Sequence, residues 1–348
     1  MPGTLLLRAD ANAEIGTGHV MRCLALAQAW REEGSDAVFL MHPSSGSIND
    51  RLASEGCTAV TLQAETGSGQ DAQETARVAR DVGAGWVVVD GYAFDRRYQG
   101  ALKEAGLGLL FVDDYGHGKS YCADLVLDQN IDTTTEFYAD RTSATRLLLG
   151  ARYALLRREF RMHRGWKRQI STPARRLLVT LGGGDLDNVT LKVIEALRQL
   201  DEAELEAVVV SGWANRHRKD LEAAAGRARC RIRVTTTTQE MPDLMMWADV
   251  AVSAGGTTCF EMTYLGLPHL IIILAENQER MARSLDRAGS AINLGWHGSC
   301  TPEEIARRLR GLIDDVQART SMAGKGRDVL DAKGAWRVVE ALRGVPLG

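Results

Sequence analysis

Short, almost wholly apolar runs that break off in charge or glycine recur along this chain, each followed by a longer stretch with helical spacing. TLLLRAD (4–10) precedes a Gly-containing turn and an apolar pattern from Val20 to Trp30. AVFLM (37–41), a helix around 47–55, TAVTL (58–62), a helix over 70–82 and GWVVVDGY (85–92) follow. Next come a helix over 95–105, LGLLFVDD (107–114) and ADLVLDQN (123–130). A strand apolar on both faces needs helices on both sides, so the pattern predicts a parallel, doubly wound sheet.

The alternation starts again after a polar, basic stretch, RMHRGWKRQISTPARR, with no apolar period over most of its length. RLLVTLGGGD (176–185), EAVVVSG (206–212), IRVTTTT (232–238), DVAVSAGGTT (249–258) and HLIIILAEN (269–277) are the second set of strands, with helices between them and on to the C-terminus. The expected organisation is a Rossmann-like domain over 1–160, a connection over 161–175 and a second Rossmann-like domain over 176–348, the two halves facing a central cleft. A chain of 348 residues is more than one core usually organises, which agrees.

Formal net charge is −3, from 42 basic and 45 acidic residues, so neither nucleic acid nor an anionic membrane is expected as a partner. No window approaches the roughly 18 uncharged apolar residues of a membrane span, and MPGTLLLRADANAE meets charge too early for a signal peptide. The expectation is a cytoplasmic protein without stable membrane insertion. The six cysteines form no C-x-x-C pair and the seven histidines no H-E-x-x-H, so free thiols, no bound metal and no cofactor are expected. Oligomeric state is not readable from these features.

Ligands of open parallel sheets bind beyond the carboxyl ends of the strands. Five loop groups fall there. In EIGTGH (14–19), Gly16 and Gly18 permit a tight turn or a close backbone approach, and His19 lands at a helix start. The helix dipole disfavours an imidazolium there, which suits a general base. The plainer reading is a histidine that caps the helix or packs on the sheet. TLGGGD (180–185), with Gly182 and Gly183, resembles a phosphate cradle or is simply a turn. SAGGTTCFE (253–261) offers amides and hydroxyls of Gly255, Gly256, Thr257 and Thr258 to a diphosphate. Glu261 there suits a ribose diol, or a capping box with Thr258. ILAENQ (273–278) presents Asn277 and Gln278 to a sugar or phosphate, with a helix cap by Asn277 as the alternative. Asp10, DGY (90–92) and the acids of 113–114 form the fifth group, on the same sheet edge as His19.

RADANAEIGTGHVMRCLALA, VDGYAFD, FVDD, RYALLRREF, LGGGDLDN, SAGGTTCFEMTYLGLPHLII and ENQ occur in that order. Together they resemble the UDP-2,4-diacetamido-2,4,6-trideoxy-β-L-altropyranose hydrolase family of pseudaminic acid biosynthesis. The second half is more distantly similar to the nucleotide-binding domain of the glycosyltransferase that completes the peptidoglycan lipid precursor, which implies a GT-B fold. The resemblance implies that His19 activates water at the anomeric carbon, with inversion, C–O cleavage and no metal. It implies that Tyr92 helps hold the sugar at the catalytic centre and that two residues flank the base, Asp10 as a catalytic group and Arg22 as a substrate-binding one. Gly182, Gly183, Gly255–Thr258, Glu261 and Asn277 would hold UDP, with uracil near Ile232–Val234. A GT-B transferase using an acceptor hydroxyl and a non-catalytic sugar-nucleotide-binding subunit are the competing readings.

Overall fold

The computed structural model describes every residue except 1, 2, 13, 14, 184, 201, 213, 214, 237–239 and 346–348. Contacts divide the chain into two units. The first comprises the residues up to Asn12, Thr17–Arg158 and the chain from Ala332 on; the second comprises Glu159–Asp331 with the short segment ending at Gly16.

The first unit runs β1 (Thr4–Ala9), α1 (Gly18–Glu32), β2 (Ala37–Met41), α2 (Gly46–Ser54), β3 (Thr58–Thr61), α3 (Gly69–Asp81), β4 (Ala84–Asp90), α4 (Arg96–Glu104), β5 (Gly108–Asp113), β6 (Leu125–Asp128) and β7 (Arg146–Leu149). All pairings are parallel, in the order β3-β2-β1-β4-β5-β6-β7. The inner strands are buried almost throughout, as their apolar runs require. Register aligns their carboxyl ends: Ala9 pairs with Asp90, Asp90 with Val112 and Asp113 with Asp128. A row of acids therefore crosses one edge of the sheet. Strand order reverses between β1 and β4, and at such a switch point the two flanking loops leave in opposite directions and open a crevice.

The second unit runs α5 (Arg158–Arg161), β8 (Arg176–Thr180), α6 (Val189–Leu200), β9 (Glu206–Ser211), α7 (Arg218–Ala225), β10 (Arg231–Thr236), α8 (Met241–Trp247), β11 (Val250–Ala254), α9 (Thr258–Tyr264), β12 (His269–Ile273), α10 (Glu279–Ala288), β13 (Ile292–Trp296), α11 (Pro302–Asp314) and α12 (Val316–Val329). Its sheet, also parallel, has the order β10-β9-β8-β11-β12-β13, with the reversal between β8 and β11.

Three features depart from the sequence expectation. The edge strands β7 and β13 were not anticipated; β13 is only half-buried and carries Gly295, so it lacks the apolar run that marks the inner strands. The stretch 161–175 is not a free connection. The buried Arg168 donates to the carbonyl oxygens of Leu265, Ala248 and Met245, and Ser171 donates to Asp249 at 2.7 Å, which fastens it to the second unit. The last helix, α13 (Gly334–Arg343), belongs to the first unit instead of the second. Its Ala335, Val338, Val339, Ala341 and Leu342 enter the same core as Val20, Leu24, Ala27 and Leu155. Trp336 Nε1 donates to Glu32 at 3.0 Å and Arg343 to Glu33 at 2.8 Å. An apolar helical face is readable in sequence; the surface it covers is not.

Gly334 lets this helix dock, because a Cβ there would lie 2.2 Å from the Ala154 carbonyl oxygen and 2.4 Å from the Tyr153 carbonyl carbon. Replacing Gly334 by Ala is expected to destabilise the protein by about 1–3 kcal/mol, as for other forced overpacking. At Gly311 in α11 a Cβ meets nothing, so Gly311→Ala should be neutral or stabilising by up to about 1 kcal/mol. Urea unfolding of both variants checks the contrast, and equal stability of the two would refute the docking role.

Candidate active site

At the first unit's switch point, the residues leading into α1 make the turn that starts it. Gly16 takes a φ of 72°, which suits a residue without Cβ, and Thr17 is the N-cap without a side-chain cap bond. Gly18 opens the helix, and a Cβ there would meet nothing. His19 therefore sits in the first turn, and Arg22 stands three residues on along the same face. Both side chains are buried. Glu14, at the head of the same segment, lies outside the described residues.

His19 and Arg22 converge on Asp90, the last residue of β4. His19 Nδ1 lies 2.6 Å from Asp90 Oδ1. Arg22 donates to the same carboxylate twice, from Nε to Oδ2 at 2.6 Å and from Nη2 to Oδ1 at 2.6 Å. Cys23 Sγ adds a longer contact of 3.5 Å. Burial alone would raise the pKa of a carboxyl here; Arg22 and His19 override it and hold Asp90 well below the usual carboxylate range. An ionised carboxylate only accepts, so the proton of the bond lies on His19 Nδ1, and in the neutral ring the lone pair is on Nε2.

Arg22 also reaches Asp114, just beyond β5, from Nη1 at 2.5 Å and Nη2 at 3.1 Å. Asp114 in turn accepts from the Tyr92 hydroxyl at 2.7 Å. The Tyr92 ring stands edge-on to His19, centroids 5.0 Å apart, and remains 36% exposed, so it covers the imidazole on one side while facing solvent. One chain of contacts thus joins His19, Asp90, Arg22, Asp114 and Tyr92.

Three of the residues singled out from sequence, His19, Arg22 and Tyr92, are brought together. Arg22 is taken up by two carboxylates instead of facing a ligand. Asp10 lies apart from them: it accepts from the His42 amide at 2.8 Å and the Thr66 hydroxyl at 3.1 Å, and pairs with Arg8 at 2.8 Å. Arg8 itself is locked to Asp71 on α3. The sequence pattern placed Asp90 and Asp114 on the correct edge without assigning their partners. His117, discussed below, carried no signal, since it follows a strand end by several residues in a turn of ordinary composition.

At the second unit's switch point the glycine loops behave differently. After β8, Gly182 has a φ of 91°; Gly184 lies outside the described residues. Asp185 accepts from the Val189 and Thr190 amides at 2.7 and 2.9 Å, so the N-terminus of α6 already holds an anion of its own. After β11, Gln278 Oε1 accepts from the amides of Gly255 at 3.1 Å and Leu274 at 3.0 Å, tying two strand ends together. A Cβ on Gly255 would stand 2.9 Å from that of Gln278, which is why glycine is needed there. Gln278 is thereby a loop clamp. It is also the N-cap of α10, so the cap considered for Asn277 is not the one formed.

Gly256, Thr257 and Thr258 follow at the start of α9, where a helix leaves its first amides without intrahelical partners. A Cβ on Gly256 would meet nothing, so this turn borders open space. Thr257 is the N-cap and makes no side-chain cap bond, so the capping box considered for Thr258 and Glu261 is not what sets this terminus. Glu261 is buried on the same short helix.

Comparison with known proteins matches residues 176–333 to the glycosyltransferase family 28 C-terminal domain. The spore coat polysaccharide biosynthesis protein SpsG of Bacillus subtilis is 28% identical over 57% of this chain and 58% of its own length. The UDP-2,4-diacetamido-2,4,6-trideoxy-beta-L-altropyranose hydrolase of Campylobacter jejuni is 23% identical over 82% of this chain and 97% of its own. The chain spans little more than half, 55–58%, of the length of the first curated relatives it matches. MurG of Acinetobacter baumannii superposes with a TM-score of 0.68 over 99% of this chain and 100% of that one at 19% identity. The fold is GT-B, with two α/β units of Rossmann type. No helix among the described residues is long and apolar enough to cross a membrane.

Replacing Arg22 by Met would leave Asp90 and Asp114 buried without their shared cation. The expected loss is about 3–5 kcal/mol, the usual result of removing one partner of a buried ion pair. Chemical denaturation measures it. A loss below about 1 kcal/mol would mean that the cluster is solvated and not held by Arg22.

Proposed function

We propose that the protein hydrolyses a UDP-linked sugar at its anomeric carbon, with His19 as the base. The supporting observation is the bond from His19 Nδ1 to the ionised Asp90, which fixes the tautomer and leaves Nε2 as the acceptor. Nε2 takes a proton from water as the water oxygen attacks the anomeric carbon. The bond from that carbon to the β-phosphate oxygen breaks, its electron pair leaves with UDP, and the sugar departs with inverted configuration.

The charge around the base favours this step. With a neutral imidazole, Arg22, Asp90 and Asp114 together carry one net negative charge; a proton arriving on His19 cancels it. The cluster is preorganised and largely dry, so the imidazolium that forms needs no reorganisation of its surroundings. Tyr92 holds the sugar beside the base, Gly16 and Gly18 let the chain approach it, and Arg22 serves by positioning Asp90. Asp10 braces the neighbouring strand end through Arg8 and His42.

UDP falls to the second unit. The amides and hydroxyls of Gly256, Thr257 and Thr258 take the diphosphate, Glu261 takes the ribose diol, and Asn277 supplies a further polar contact. Gly182 and Gly183 shape the adjoining loop, while Gly255 and Gln278 hold the α9 turn in place. A diphosphate with its charge caught in this way is a good leaving group. The name of the Campylobacter relative, matched over 97% of its length, supports an acetamido-deoxy sugar, and the resemblance of the sequence motifs implies a place in nonulosonic (pseudaminic) acid biosynthesis.

The match of residues 176–333 to a glycosyltransferase family favours a second reading, in which Nε2 deprotonates an acceptor hydroxyl in place of water. Incubation with UDP-2,4-diacetamido-2,4,6-trideoxy-β-L-altropyranose alone separates the two. Hydrolysis releases UDP without acceptor, and in ¹⁸O water the label enters the sugar and not UDP. His19→Ala is expected to lower kcat by roughly 10² to 10⁴, the usual worth of a positioned general base. Label found in UDP, or full activity in His19→Ala, would falsify the mechanism; release only with an acceptor would establish the transferase.

A further inference from the structure

The turn 115–118 beyond β5 wraps around Asp113. Asp113 Oδ1 accepts from the amides of Tyr115 at 2.8 Å, Gly116 at 2.6 Å and His117 at 3.2 Å, while Oδ2 accepts from the Tyr121 hydroxyl at 2.6 Å. The His117 side chain, 5% exposed, folds back against this carboxylate. Its Nδ1 lies 3.1 Å from Asp113 Oδ1, at an oblique angle that makes the contact an ion pair more than a straight hydrogen bond. Its Nε2 lies 3.2 Å from the carbonyl oxygen of Gly91. Both ring nitrogens therefore face oxygen acceptors, and only the doubly protonated ring supplies both with a proton.

Gly91 is the residue between Asp90 and Tyr92. On its other side a Cβ would come 2.9 Å from the Phe94 ring, so the turn is held between Phe94 and His117. Tyr92 is likewise flanked by two imidazoles, edge-on to His117 at 4.9 Å and to His19 at 5.0 Å. We propose that His117, as an imidazolium, is a positioning residue that clamps the Asp90–Tyr92 turn and so sets both the partner of the base and the ring that covers it. This rests on the reading of His19 as the base, but the clamp itself needs no substrate to be observed.

The groups around His117 favour that charge. Burial opposes it, yet Asp113 and then Asp114 outweigh both burial and the more remote Arg22 cation, and the ring is held protonated above the ordinary histidine value. The remaining neighbours are the rings of Phe111, Tyr92 and Tyr115, with Tyr121 reached through Asp113. The sign follows: the clamp is complete below pH 6.5 and is lost as pH rises through the elevated value of the folded protein.

Imidazole ¹H–¹⁵N spectra of the full chain without substrate test the clamp directly, with His117→Gln identifying the resonance. The expected result is that His117 titrates above pH 6.5 and that the Tyr92 ring signals shift with the same midpoint. Titration at or below 6.5, or Tyr92 signals that do not follow, overturns the proposal. In UDP release, the wild type should lose kcat on the alkaline side. His117→Gln should lack that limb and show kcat reduced about tenfold with a smaller change in KM, in line with misplacement of a reacting group. An unchanged alkaline limb in His117→Gln overturns the clamp as well. If the wild type releases no UDP, the base assignment fails while the spectra still decide the clamp; if His117→Gln does not fold, the wild-type Tyr92 and histidine titrations decide it.

Discussion

Everything at the carboxyl edge of the first sheet is arranged around a buried negative charge, the Asp90 carboxylate. A lone carboxylate in that position would shed its charge by binding a proton, because the cost of taking it out of water is several kcal/mol. Asp90 keeps its charge because Arg22 meets both of its oxygens and His19 meets one. Arg22 is itself buried, and Asp114 shares its cation. Each group is tolerable only because the next is present, which makes the cluster rigid and gives the imidazole one orientation. The same requirement reaches outward through Tyr92 to the aromatic turn at His117.

The two units meet the same topological situation with opposite chemistry. Both are parallel sheets whose strand order reverses once, between β1 and β4 in one and between β8 and β11 in the other. At the first reversal, titratable side chains fill the space and satisfy one another. At the second, the turn at Gly256 before α9 borders open space, and side chains such as Gln278 serve to hold the loop. Amides and hydroxyls carry dipoles without changing protonation, which suits holding an anion; an imidazole against a carboxylate suits moving a proton. Asp185 sharpens the contrast, since by capping α6 with its own carboxylate it leaves the turn after β11 as the open helix start at this switch point.

A second ion network, Arg8 with Asp71 and Asp10, shows why residue type at a strand end is weak evidence of chemistry. Arg8 and Asp71 are fully buried, and Asp71 also accepts from the hydroxyls of Thr75 and Tyr98. Asp10 thus looks from sequence like a companion of His19 and is instead part of the mortar between β1, α3 and the loop after β2. Arg22 shows the reverse case, a residue expected to bind a ligand whose guanidinium is instead divided between Asp90 and Asp114.

The inner strands, the two doubly wound halves and the glycine-rich strand ends were legible in the residues, because a strand buried on both faces is apolar nearly throughout and a backbone that turns sharply favours glycine. The positions of His19 and Tyr92 in the segments that follow β1 and β4 were legible too. Of the edge strands, β3 and β10 were legible as β-branched runs, whereas the short β7 and the glycine-containing β13 were not. Neither was the return of α13 to the first unit, because an apolar helical face states how much surface it must cover and nothing about which. Pairing among the acids was beyond sequence for a related reason. Register across four strands brings Ala9, Asp90, Asp113 and Asp128 to one edge, and side chains 68 and 92 positions from Arg22 become its partners only when that register closes.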